Sequence, residues 1–238
     1  MLNGVEDEMP IYKFMPLRYT LAMVQNRLLT INRISSWPDV YENYMLKQNY
    51  YLQNGIPIDV INQAAGIYGQ CWTYLPESDA MWRIYSPTLD TIRIKTTVEK
   101  LYDALYQNDH NMADTYIGLV QYELQADIDR KVQLLSPIDS GDFLREVIKG
   151  AFVKRMEFEH EKEVRIVRML DSQQTLLSGA ILQFPIPADF IDEFCIDPRA
   201  DAAQEANLTS QLTSIGIPAN KICKSQLYQF NSHQMVLK

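Results

Sequence analysis

A chain of 238 residues, 47% hydrophobic and 11% aromatic, has the material for a substantial core and is far from a disordered composition. Its formal net charge of −8 argues against non-specific nucleic-acid binding, which needs a basic footprint. The three cysteines and three histidines lack metal-ligand spacing, so no zinc site is expected, and the thiols read as reduced ones in a cytoplasmic protein.

At the N-terminus Glu6, Asp7 and Glu8, with no apolar run, speak against a signal peptide, and no stretch reaches the length of a membrane span. Residues 11–15 read as a short strand. Pro16 then permits a helix start, and Leu17, Leu21, Val24 and Leu28 recur at helical spacing. Residues 29–31 form a second strand, and residues 35–39 a loop or the beginning of a helix. From residue 40 the spacing predicts a helix, broken at Asn54-Gly55-Ile56-Pro57 and followed by a short second helix up to residue 65.

Residues 67–73 are a buried strand. Ser78 is placed to cap a helix through residues 80–85, ended by Pro87. Residues 91–96 alternate apolar and polar as a half-buried strand does, and residues 98–106 form a helix. Residues 116–122 are a strand, and residues 124–135 and 142–156 are helices separated by Ser136-Pro137. Strands follow at residues 161–169, 181–186 and 190–197. A helix at 200–215 ends at Gly216, and residues 222–227 are a terminal strand or turn. There is no internal repeat, no strict strand–helix alternation and no Gly-rich phosphate loop after a strand. The pattern implies an α+β fold built on a split, largely antiparallel sheet with flanking helices.

The segment richest in chemistry is the run Glu159-His160-Glu161-Lys162-Glu163 leading into Val164, Ile166 and Val167. Acids two apart on a strand share a face. They are either gatekeeper charges on a solvated edge or carboxylates that a rigid strand presents to a ligand. As a pair, Glu161 and Glu163 suit stabilisation of an oxocarbenium-like centre or a hydrogen bond to a ribose hydroxyl, and Arg165 on the same face would keep them ionised. Trp72, Thr73, Trp82 and Tyr85 are core anchors or a stacking wall for a planar ring. Lys13, between Tyr12 and Phe14, offers one cation in an aromatic setting. A serine hydrolase is excluded by the missing Gly-x-Ser-x-Gly elbow, and Cys71 in its apolar strand reads as a structural thiol.

Taken in order, Tyr12-Lys13-Phe14, Trp37-Pro38-Asp39, Cys71-Trp72-Thr73, Met81-Trp82-x-x-Tyr85, Ile92-Arg93-Ile94, Lys154-x-x-x-Phe158-x-x-Glu161-x-Glu163-x-Arg165 and Ile196-Asp197-Pro198 resemble a widespread prokaryotic family of uncharacterised domains found in mobile and defence loci. Its layout is similar in turn to that of ADP-ribosyltransferases. The resemblance spans nearly the whole chain and implies one domain over residues 1–238, with helical inserts near 40–65 and 107–150 where acceptor choice would reside. It implies NAD as substrate and no metal. Glu163 would contact the nicotinamide ribose, Glu161 would select or deprotonate the acceptor, and Thr73 would sit on the hydroxyl-bearing strand. Tyr12, Lys13, Trp72, Trp82, Tyr85 and Arg165 would hold the cofactor. Lys13 falls where relatives often carry His and would meet a phosphate as a point charge.

The resemblance implies a toxin or antiviral-defence effector that modifies a protein or nucleic acid, with a neutralising antitoxin partner and no membrane attachment. Lys149, Lys154, Arg155 and Arg168 are the local basic patch available to a polyanion. The alternative is a non-enzymatic module that binds a partner or nucleotide, with Glu163 consumed by Arg165 or Arg93. Convergence of Glu163, Thr73 and Lys13 on one cleft is the mark of the enzyme.

Overall fold

The computed structural model describes residues 4–37, 39, 41, 42, 44–58, 66–106, 115–138, 140–170 and 179–235. Among these, nine strands form one sheet. At its centre lies β5 (Ile67–Thr73), whose one edge is covered along its length by β10 (Glu163–Met169), from Glu163 opposite Thr73 to Met169 opposite Ile67. The other edge of β5 is divided. Asn32 and Arg33 of β2 (Leu28–Arg33) pair with Gly69 and Tyr68, while β1 (Pro10–Pro16) meets β5 at Tyr12 opposite Thr73. β1 pairs instead along its whole length with β6 (Thr91–Thr97), so the sheet splits between β1 and β2.

Beyond the split, β6 pairs with β12 (Glu193–Ile196), and β12 with β13 (Ile222–Lys224); β11 (Ile181–Pro185) flanks β2, and β7 (Thr115–Leu119) flanks β10. All these pairings are antiparallel except β12 with β13, which helix α6 (Ala202–Ser214) connects as a crossover.

Alternation along the strands sorts the side chains between two faces. Ile92, Ile94, Val164 and Ile166 join a core with α1 (Leu17–Asn26), α3 (Val98–Tyr106) and α6, whose contributors include Met23, Leu101 and Leu212. On the other face Ile67 and Val167 pack with Tyr44, Met45, Ile128, Val147 and Phe152. These come from the 3-10 turn Tyr44–Lys47, α4 (Gln125–Leu134) and the segment around α5 (Ser140–Gly150). Gly69 sits where Trp37 crosses this face. A Cβ there would lie 2.8 Å from the Trp37 ring and 2.9 Å from the Ile166 carbonyl oxygen. Gly69→Ala is therefore expected to destabilise the fold by about 1–3 kcal/mol through overpacking, measurable by urea unfolding. An unchanged midpoint would mean that both the ring and the Ile166 carbonyl give way at no cost.

Several elements match the expected spans, among them β5 and α3. Helix α2 (Asp79–Tyr85) starts where expected, with the Ser78 hydroxyl accepting from the Met81 N–H at 3.3 Å. Three expectations are corrected. The helix from residue 40 is the short 3-10 turn Tyr44–Lys47, followed by a hairpin of β3 (Tyr50–Tyr51) and β4 (Pro57–Ile58); the second helix falls largely on residues 59–65, outside those described.

The helix over 142–156 closes at Gly150, and Val153–Arg155 is instead a strand, β9, pairing with β8 (Gln121–Glu123). The apolar spacing continues past Gly150, but the backbone there gains a strand partner. The single strand over 116–122 is interrupted at Val120, where the chain changes partner: Val120 N–H donates to Glu163 O, and Gln121 N–H to Phe152 O. Among the described residues no helix is long and apolar enough to cross a membrane.

Candidate active site

The alternating acids do not lie on one strand. Glu161 ends the 3-10 turn Met156–Glu161, Lys162 takes a left-handed conformation (φ 44°), and β10 begins at Glu163. Glu159 points outward to Lys162, 2.7 Å away. The left-handed residue is what turns Glu161 and Glu163 toward each other from two different elements. Thr73 pins this turn: its hydroxyl donates to the Lys162 carbonyl (3.2 Å) and accepts from the Leu75 N–H (3.0 Å). Thr73 is thereby a positioning residue for the carboxylates, its hydroxyl already engaged.

Beneath the turn lies a buried charge network. Lys154 of β9 reaches Glu161 Oε2 (2.5 Å), Glu163 Oε1 (2.8 Å) and Glu42 Oε1 (2.9 Å). Arg165 reaches Glu163 Oε2 (2.5 Å) and Glu42 Oε1 (2.8 Å), donates to the Ala151 carbonyl (2.7 Å) and lies over the Trp37 ring. The Glu163 main-chain N–H donates to the Tyr122 hydroxyl oxygen at 2.8 Å, and Tyr85 OH donates to Glu161 Oε1 at 3.2 Å. All five charged side chains are buried.

Two cavities meet at the carboxylates. One, of about 110 Å³, opens at the sheet split among Tyr12, Lys13, Thr73, Tyr85, Glu161 and Glu163. The other, of about 650 Å³, runs past Trp37, Asp39, Lys154 and Phe158 and shares Cys71, Tyr85, Glu161 and Glu163 with the first. The larger lies within the range of about 300–1,000 Å³ usual for small-molecule sites.

The two carboxyls are driven apart in acidity. Burial makes Glu161 the weaker acid, and the hydrogen bond to Glu163 and its charge add to this, so that it titrates at about 7 despite Lys154. Burial opposes ionisation of Glu163 too, but Arg165, the hydrogen bond from Glu161 and Lys154 together hold it well below the usual carboxylate range. Near neutral pH Glu163 is thus a fixed anion beside a group ready to exchange a proton, a division of roles typical of acid–base pairs. Tyr85 stays protonated, its acidity suppressed by burial and by the Glu161 charge, and burial pushes the Cys71 thiol up, away from nucleophilic thiolate.

The Glu161 value carries a stability consequence. Its carboxyl titrates at 4.5 ordinarily and at about 7 when folded. The folded protein therefore keeps a proton that the unfolded chain releases, so this contribution is full below about pH 4.5 and is lost as pH rises through about 7. We expect the thermal midpoint to fall by several degrees between roughly pH 5 and pH 8, and Glu161→Gln to flatten that fall. An equally steep fall in the variant would assign it to another group.

Alternation divides the other expected site residues. Tyr12 shares the face of Thr73, its cross-strand partner, whereas Lys13 and Trp72 leave on the opposite face. Lys13 still lines the smaller cavity, but its ammonium donates to the Cys71 carbonyl (2.7 Å) and lies over Trp72; burial lowers its basicity. Trp72 is a core residue whose indole donates to Gln70 Oε1 (2.8 Å). Trp82 is 0% exposed, packed edge-on to Phe14 and bonded to Glu77, so it offers no face to a ring. Tyr85, 37% exposed, lines both cavities. Arg165, also 0% exposed, is enclosed beneath Glu163 instead of being presented to a phosphate.

The expected basic patch does not form one surface. Lys154 and Arg168 are buried, Arg168 donating to Thr115 Oγ1, while Arg155 pairs with Asp39 and Lys149 with Glu146. Glu42 and Tyr122 escaped the sequence reading because each lies far along the chain in a segment with no motif of its own. Lys154 was visible as the first residue of the Lys-x-x-x-Phe element, though not as the shared partner of three acids.

No family model matches the chain, and no curated protein matches it. Among solved structures it has a distant likeness to a DarT from Thermus sp. 2.9. In complex with NAD+, the TM-score is 0.41 with 10% identity over 94% of this chain and 98% of that one. The complex with ADP-ribosylated ssDNA gives 0.42, 11%, 95% and 98%, and that with carba-NAD+ gives 0.40, 10%, 93% and 97%.

Proposed function

We propose that the protein is an NAD-dependent ADP-ribosyltransferase-like enzyme that works at the sheet split. The observation that carries this reading is the pair at the cleft floor: Glu163 held anionic, and Glu161 poised near neutral beside it. Such a pair suits a reaction through a cationic sugar centre. The bond from ribose C1′ to the nicotinamide nitrogen breaks, its electron pair leaves with neutral nicotinamide, and the Glu163 carboxylate stabilises the oxocarbenium ion. A nucleophile on the acceptor forms the new bond to C1′ and gives its proton to Glu161. Tyr85 lines the side on which the nicotinamide ring would lie. NAD itself enters through the motif resemblance, as does the role of a defence effector or toxin restrained by an antitoxin. The acceptor is a protein or a nucleic acid, with the larger cavity and its Trp37 and Phe158 rings as the approach.

The test is incubation of the purified protein with NAD, with single-stranded nucleic acid or lysate protein as acceptor. Nicotinamide would be quantified and the fraction carrying ADP-ribose identified. Release is expected to rise with the right acceptor; none under any condition would overturn the reading. The second reading, a non-enzymatic binding module, draws on the completeness of the ion network, in which Glu163 already has two cationic partners. It forecasts NAD-independent capture of a partner and no nicotinamide.

A further inference from the structure

Away from the cleft, parallel pairing of β12 with β13 sets Cys195 directly opposite Cys223. Glu193, two residues before Cys195, projects from the same face of β12. One carboxylate oxygen and the two sulfurs lie within 4.8 Å of one another. We propose that Glu193, Cys195 and Cys223 form a binding site for a thiophilic divalent cation of the zinc type, independent of the chemistry at the cleft.

Two thiolates and one carboxylate are a donor set that zinc accepts, leaving a fourth position for water. On a tetrahedral zinc the sulfurs stand about 3.8 Å apart, given Zn–S bonds near 2.3 Å, so a shift of about 1 Å in side-chain rotamers closes the site. Each ligand that binds as thiolate gives up its proton to solvent. The surroundings are organised as a ligand shell requires. The Arg93 guanidinium holds one Glu193 oxygen at 2.7 Å, fixing the carboxylate and contributing a positive charge that offsets the surplus of anionic ligands. Cys195 is buried against Phe14, Met81 and Trp82, while Cys223 is exposed, so an ion can enter from solvent and be seated on rigid strands.

The separation of 28 positions between the cysteines, bridged by α6, hides this site from any search for ligand spacing in the sequence; only the crossover brings the thiols together.

The test is titration of the reduced, full-length protein with Zn²⁺ in competition with a chromophoric chelator, repeated with Co²⁺ to read the thiolate-to-metal charge-transfer band. One equivalent bound, with the charge-transfer band, is expected. Cys223→Ser, at an exposed position that the fold tolerates, is expected to weaken binding by at least about 100-fold, since loss of an outer-shell partner alone costs 10- to 100-fold. Glu193→Gln should weaken it while keeping the cobalt–thiolate band. No stoichiometric uptake, or uptake unchanged in Cys223→Ser, would overturn the site.

Discussion

Glu163→Gln is expected to reduce nicotinamide release by about 100- to 1,000-fold, the range seen when one preorganised electrostatic group is removed from a reacting centre. The substitution keeps shape and an acceptor oxygen but removes the charge. Its carboxylate is the one that the surroundings hold ionised, with Arg165 and Lys154 both on it at 2.5 and 2.8 Å. Both cations keep Glu42 as partner, at 2.8 and 2.9 Å, so the variant is expected to fold with reduced stability. Circular dichroism and a thermal midpoint establish folding before activity is read. Glu161→Gln should instead spare bond cleavage more than transfer, because its role is the acceptor's proton. A folded Glu163→Gln protein that releases nicotinamide at the wild-type rate would remove Glu163 from the chemistry.

Lys154→Met is expected to be the most destabilising single change in the network, by about 3–5 kcal/mol, the usual effect of removing one partner from a buried ion cluster. For a domain of this size that corresponds to a fall in midpoint of roughly 6–20 °C. Lys154 is the common partner of Glu42, Glu161 and Glu163. With Glu161 protonated, the anions Glu42 and Glu163 balance the cations Lys154 and Arg165, and the cluster is neutral. Met fills similar space, but leaves unbalanced negative charge among buried side chains. Glu159→Ala, which breaks the exposed pair with Lys162, should change the midpoint little. Thermal unfolding of both variants in one buffer makes the comparison; a Lys154→Met midpoint within error of wild type would show that the network is held by Arg165 alone.

The contrast between these positions explains what was legible in the sequence. Strands such as β5 and helices such as α3 announce themselves because hydrophobic period and end signals agree locally. The Glu-x-Glu-x-Arg element was likewise visible as chemistry, but its geometry was not. Alternating acids before a β-branched run read as strand, whereas a left-handed Lys162, pinned by a threonine 89 positions earlier, makes it a turn. Period-2 logic put three acids on one face; the turn expels Glu159 and folds Glu161 inward. The aromatic candidates differ for another reason. Trp82 and Tyr85 are neighbours on one helix, yet the distinction between a core ring and a cavity wall depends on Phe14 and on the packing of a separate strand. Both marks set for the rival readings are present at once. Glu163, Thr73 and Lys13 line one cavity, and Glu163 is also engaged by Arg165, so an ion network and a reactive carboxylate need not exclude each other.

The network draws its members from three regions far apart along the chain: residue 42, residue 122 and the stretch from 154 to 165. A ribosome emits them in that order, so an unfinished chain holds Glu42 without its partners and has no cleft floor. Were the protein a poison to its own cell, translation itself would act as the safety catch, since the carboxylate pair is armed only after Arg165 has been made. A chain divided between Glu42 and Lys154 likewise leaves each fragment with only part of the cleft floor.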